Sequence, residues 1–180
     1  KHEKLFDIKK LVKAVFEPNI GKTLLISLIY SLAFSLFIFV YQPISVRVLR
    51  LSASQISLNF VLFGLMGLIS QMFVIPFVSR KLGDKKTLLV ALLVASGTFL
   101  GLFLANSRQT FLIVSMLHSL VNGFVSPMIS SLLSKEVDEQ SQGEMQGINA
   151  SYVSVGMIVG PVVGGMVANW SVYGPFLAGM

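Results

Sequence analysis

No cysteine occurs in this chain of 180 residues, which excludes disulfides, thiolate metal sites and a cysteine nucleophile. Charge is scarce too: Asp, Glu, Lys and Arg make up 12% of the residues against 54% hydrophobic ones, and mean hydropathy is +0.79. The few charges are also missing from the places where a soluble protein needs them. Ile56 to Val78 and Thr87 to Ser107 carry none at all. Each run is long enough to cross a bilayer, which takes about 20 residues at roughly 1.5 Å of rise each. A soluble helical bundle would show a polar face every three or four residues, and these runs show none. The composition is that of an all-α integral membrane protein.

What is present fits that class. Between the two uncharged runs stands Ser79 to Lys86, Ser-Arg-Lys-Leu-Gly-Asp-Lys-Lys, a short basic loop that joins two antiparallel crossings on one side of the membrane. Counting outward from it predicts spans at about 23–42, 56–78, 87–105, 110–134 and 145–168, and a sixth, 172–180, that stops incomplete. Residues 1–18 form an amphipathic segment, with Leu5, Ile8, Val12, Val15 and Phe16 at helical spacing, expected to lie along the membrane surface. Pro18 and Gly21 separate it from a transmembrane domain over 19–180. Eleven of the fourteen Lys and Arg fall on the side of the basic loop, and only Arg47, Arg50 and Arg108 on the other. That bias places the basic side, and the N-terminal segment with it, in the cytoplasm. It also explains the net charge of +6 and the pI near 9.7 without nucleic acid.

Polar residues inside the spans are patterned. The fourth span carries Ser115, Ser119, Asn122 and Ser126 at steps of four, three and four, with His118 beside them. The first carries Ser27, Ser31 and Ser35 on one stripe and Tyr30, Phe34, Phe37 and Tyr41 on the next. The third offers little beyond Ser96 and Thr98, as a lipid-facing helix should. Spans one, two, four and five are therefore expected to surround a cavity, with Tyr30, Phe34, Tyr41, Asn59, His118, Asn122, Asn149 and Tyr152 as candidate lining residues and Gln71 facing the same choice. His118 is the one ionisable side chain within the spans, where such groups face a bundle interior or act as packing glue.

The fifth span is the most specific stretch. Gly156, Gly160 and Gly164 line one face at four-residue spacing, accompanied by Gly147, Pro161 and Gly165. Small residues at that spacing let another helix approach closely, and Pro161 removes the backbone bond to the carbonyl of residue 157. A static packing seam and a pliable, rocking helix are both compatible with it.

Two stretches carry a family resemblance. Pro76 to Lys86 is similar to the loop motif of the major facilitator superfamily, which runs glycine, acid-base pair, glycine, basic pair. Gly83, Lys85 and Lys86 match, whereas Pro76 replaces the first glycine and Arg80 the acid, with Lys81 following; Asp84 is the acid left to substitute. Gln142-Gly143-Glu144 through Gly165 resembles the penultimate helix of the drug and tetracycline efflux type. The same glycines also fit the antiporter motif of the fifth helix in the N-terminal half. The basic N-terminal segment resembles the linker between halves, and the arginine typical of the N-terminal half's fourth helix is missing. The resemblance thus implies a C-terminal half-bundle of about six helices, seven to eleven and part of twelve, whose N-terminal half lies outside the sequence.

It further implies alternating access about a midplane site. The leading function is proton-coupled efflux of small organic molecules across the plasma membrane. A sugar or metabolite importer of the same superfamily is second, and a transport-inactive membrane scaffold third. The partners are a small-molecule substrate, protons, the lipid bilayer and the other half. No cofactor, metal or catalytic residue is implied, because no paired acid and base, ligand cluster or nucleophile triad lies in the spans, so the chain does not read as an enzyme.

Overall fold

The computed structural model describes residues 8–180, among which every regular element is helical. Lys1, Lys4 and Leu5 of the expected amphipathic segment lie outside the described residues. The elements run in order as α1 (Ile8–Val15), α2 (Ile20–Pro43), α3 (Ala53–Ile69), α4 (Ile75–Leu82), α5 (Asp84–Phe103), α6 (Arg108–Lys135), α7 (Gln142–Ala168) and α8 (Gly174–Ala178). π-helical turns at Ile44–Val48 and Ser70–Val74 extend α2 and join α3 to α4. Five segments have the length and apolarity to cross a membrane, namely Ile20–Val48, Ala53–Leu82, Asp84–Phe103, Arg108–Lys135 and Glu139–Ala168. The chain is a multi-pass all-α bundle, with α8 following the fifth crossing.

The ends of the crossings differ from the sequence expectation for local reasons. Pro43 was expected to end the first span, but its φ of −55° and ψ of −42° are helical. The chain continues past it by widening to a π turn closed by the Leu49 amide on the Ile44 carbonyl at 3.0 Å, and reverses only at Arg50, whose φ is +51°. The second span starts at Ala53 rather than Ile56, because Ser52 and Gln55 form a reciprocal capping box. Between α4 and α5 the basic loop shrinks to Gly83, at φ +74° and ψ +161°, a conformation that glycine adopts without strain.

α2 packs chiefly on α7, and α6 on both α3 and α5. Two buried clusters follow one another along the length of the helices. At the basic end Leu24, Leu88, Val125, Ile129 and Leu133 interlock. At the opposite end the cluster is aromatic: Phe37, Tyr41, Phe63, Phe99, Phe111 and Phe176 stand with successive ring centroids 5.1–6.5 Å apart. The third span buries one face, with Leu88, Ala91, Ala95, Thr98, Phe99 and Leu102 of α5 inside, while Leu89, Val90, Leu93 and Val94 face outward. Small Ala side chains let α5 nest into α6.

The α2–α7 seam is where the glycines act. A Cβ at Gly156 would collide with Ser31 and lie 2.8 Å from the Leu28 carbonyl oxygen. At Gly160 it would meet Ser35, and at Gly164 the Phe39 ring at 2.8 Å. Gly147 has no atom within 4 Å of such a carbon and Gly165 only the tip of Phe39 at 4.0 Å, so these two do not belong to the seam. Pro161 leaves the Met157 carbonyl without its helical donor, and the Ser35 hydroxyl of α2 donates to it at 3.1 Å. Ser35→Ala should therefore lower stability by about 1 kcal/mol, in the range of interhelical hydrogen bonds within membranes. In a Pro161→Ala background, where the helix supplies its own donor, the loss should largely vanish. A double-mutant cycle of unfolding in micelles reads this coupling, and simple additivity would refute it.

Candidate functional site

A cavity of about 600 Å³ opens at mid-depth, between the two clusters, and its walls come from α2, α3 with its π turn, α6 and α7. These are the four crossings that the polar patterning singled out. α5 contributes nothing to the lining. The volume suits a drug-sized organic molecule, since ligand pockets span about 300–1,000 Å³.

α2 presents Ser27, Tyr30, Ser31, Phe34 and Phe37 to the cavity. α3 presents Phe60, Phe63, Gly64, Gly67 and Leu68, with Gln71 in the π turn. These six positions advance by three, one, three, one and three residues, a single helical face. Asn59 is one position off that face, about 100° around the helix. It is buried, as is Tyr41, which packs on Phe60, Phe63 and Phe111, and neither lines the cavity. α6 supplies Ser119, Asn122, Gly123 and Ser126, and α7 supplies Asn149, Val153 and Met157 at four-residue steps. Tyr152 lies off that stripe, and its hydroxyl donates instead to the Leu11 carbonyl at 2.8 Å, tying α1 to α7. Ser115 is also away from the wet face, fully buried with its hydroxyl on the Phe111 carbonyl at 2.7 Å.

Of the candidate residues, Tyr30, Phe34, His118, Asn122 and Asn149 thus converge on the cavity. Phe60, Phe63 and Met157 were missed because apolar residues carry no mark that separates a cavity wall from ordinary core. The glycines at 64 and 67, two small residues on one face of an apolar helix, were the available signal.

Hydrogen bonds cross the cavity walls. The Ser27 hydroxyl donates to Asn149 Oδ1 at 2.6 Å, and the Tyr30 hydroxyl donates to Asn122 Oδ1. Ser119 donates to the Phe63 carbonyl at 2.9 Å, fastening α6 to α3. His118 is held from behind: Thr98 Oγ1 lies 2.8 Å from its Nδ1, and the ring sits 4.5 Å from Phe37 and 4.7 Å from Phe99. The single Thr98 hydroxyl proton is already donated to the Ala95 carbonyl at 2.6 Å, so Nδ1 must carry the proton that joins His118 to Thr98. Nε2 is left as a buried lone pair with no partner among the described residues.

The Major Facilitator Superfamily profile matches residues 23–180 of this chain. The chain belongs to the Major Facilitator Superfamily. No curated protein matches it. Membership makes it a multi-pass secondary transporter of that superfamily with a small-molecule substrate, and its five membrane-length helices are consistent with the superfamily's half-bundle.

The loop between spans two and three is built around Asp84. The carboxylate accepts from Lys135 Nζ and, at 2.7 Å, from the Ser131 hydroxyl, both near the end of α6. Lys85 adds a looser pair with Glu136 at 3.7 Å, and Lys81 sits 4.2 Å from the centroid of the Phe77 ring. An acid one position after the turn glycine thus clips α5 to α6. Asp84→Asn should cost about 1 kcal/mol, modest because Lys135 is largely exposed. Thermal unfolding at low salt should show the loss and 1 M salt should shrink it; equal loss at both would point to shape rather than charge.

Proposed function

We propose that the chain is the C-terminal half of a drug-efflux transporter that moves small amphiphilic organic molecules by alternating access. The observation that carries this reading is the mid-depth cavity itself, walled by aromatic and aliphatic side chains with a few convergent amides and hydroxyls. Residues 1–18 serve as the cytoplasmic linker from the other half, residues 19–180 as the transmembrane domain, and the plasma membrane as the site of action. Tyr30, Phe34, Asn122 and Asn149 contact the solute in this account. Proton coupling falls to acids in the other half, because the spans described here hold no carboxylate in their interiors.

The deciding experiment is transport by the intact transporter in proteoliposomes under an imposed proton gradient. Gradient-driven movement of amphiphilic drugs is the expected result, and Asn122→Ala should slow it about tenfold, the worth of one lost hydrogen bond near 1.4 kcal/mol. Sugar accumulation without drug movement would instead favour an importer.

A further inference from the structure

The donors and acceptors around the cavity are unevenly used. The hydroxyl protons of Ser27, Tyr30, Ser31 and Ser119 are all committed to protein oxygens, on Asn149, Asn122, Leu28 and Phe63 respectively. His118 points one nitrogen at Thr98 and buries the other. What remains is the amide nitrogen of Asn122 and of Asn149, both braced by α2, together with the Gln71 amide and the Ser126 hydroxyl of the same lining. In each asparagine Oδ1 is occupied, while Nδ2 has no partner among the described residues and is not sealed in the protein, so it opens to the cavity. The two asparagine amides are braced by side chains three residues apart on α2, about 4.5 Å along the helix axis.

Among the described residues, no Asp, Glu, Lys or Arg lines the cavity. A charged solute would lose its hydration with no counter-ion from these walls, and a purely apolar one would strip water from the wall's free amides and return nothing. A neutral acceptor escapes both penalties. Phe34, Phe37, Phe60 and Phe63 provide ring faces and edges for the body that carries it.

We propose that this cavity selects uncharged aromatic solutes bearing a carbonyl-type hydrogen-bond acceptor, with Asn122 and Asn149 as the residues that read that acceptor. The inference rests on the cavity being the transport site and adds the polarity of its substrate. Specificity of this kind is strong, because a site built around fixed donors discriminates against a shape-matched analogue that cannot satisfy them.

Three naphthalenes of matched shape test it on the full chain in lipid nanodiscs, with empty nanodiscs as the blank: 2-acetonaphthone, 2-isopropylnaphthalene and 1-(2-naphthyl)ethylammonium. The ketone should bind at least tenfold more tightly than either of the others by probe fluorescence. Asn122→Leu should bring it down to the level of the hydrocarbon. Asn122→Asp keeps the oxygen that Tyr30 needs, and should weaken the ketone while strengthening the ammonium. If the ammonium matches the ketone, or the ketone matches the hydrocarbon in the unsubstituted chain, the selectivity is overturned while the cavity still stands as a solute site. If none of the three binds above the blank, the cavity itself is refuted as that site.

Discussion

Gly156→Leu is expected to prevent the bundle from assembling. A first carbon at this position already lies 2.8 Å from both the carbonyl oxygen of Leu28 and the amide nitrogen of Leu32. Those are backbone atoms of α2 and cannot swing aside, so the helices must separate along the whole seam. Separation would also strain the Ser35 bond to the Met157 carbonyl and the Ser27 bond to Asn149. Overpacking of this kind costs about 1–3 kcal/mol where neighbours can shift and more where they cannot. Gly160→Leu should behave similarly, and even Gly156→Ala should lower Tm by about 6–12 °C, taking about 3 kcal/mol at 2–4 °C per kcal/mol. Gly147→Ala is the matched control, since it meets open space. Equal Tm for the Gly147 and Gly156 alanine variants in detergent would dismiss the seam as the organising contact.

The second large effect separates two readings of His118. Its ring is 1% exposed and wedged between Phe37 and Phe99, so His118→Ala should open a cavity and cost about 3 kcal/mol. His118→Phe should be tolerated: it keeps the ring, removes the unpartnered Nε2 and leaves the Thr98 hydroxyl on the Ala95 carbonyl. In the intact transporter His118→Phe should retain transport. An unchanged Tm with transport lost would instead make Nε2 a solute contact and overturn its assignment to packing.

Much of this was legible in the sequence because the bilayer imposes hard constraints. Uninterrupted apolar runs and a lopsided distribution of cations fix the crossings and their alternation, and four-residue glycine spacing announces a close helix pair. The cavity's four walls were legible too, since serines and asparagines within hydrocarbon must face one another or water. Rotational detail was not. Asn59 and Tyr152 missed the cavity by one position each, a difference that depends on how neighbouring helices turn. The run-on past Pro43 was hidden because a proline signal says which bond is lost, not whether the chain can widen around it. The acid in the loop was half legible: Asp84 was visible as the available carboxylate, but its partners Ser131 and Lys135 are about fifty residues away in sequence.

One consequence follows from the proline in α7. Because a neighbouring serine completes the bond that Pro161 omits, the first and fifth crossings behave mechanically as a single strut. Whatever bending accompanies the passage of a solute must then be taken up by the opposite wall. There a side chain added at Gly64 or Gly67 would meet open space, just ahead of a loosened turn at Ser70. A spin-label pair spanning residues 32 and 159 should hold a fixed distance through the cycle, while a pair bridging that turn should report the movement.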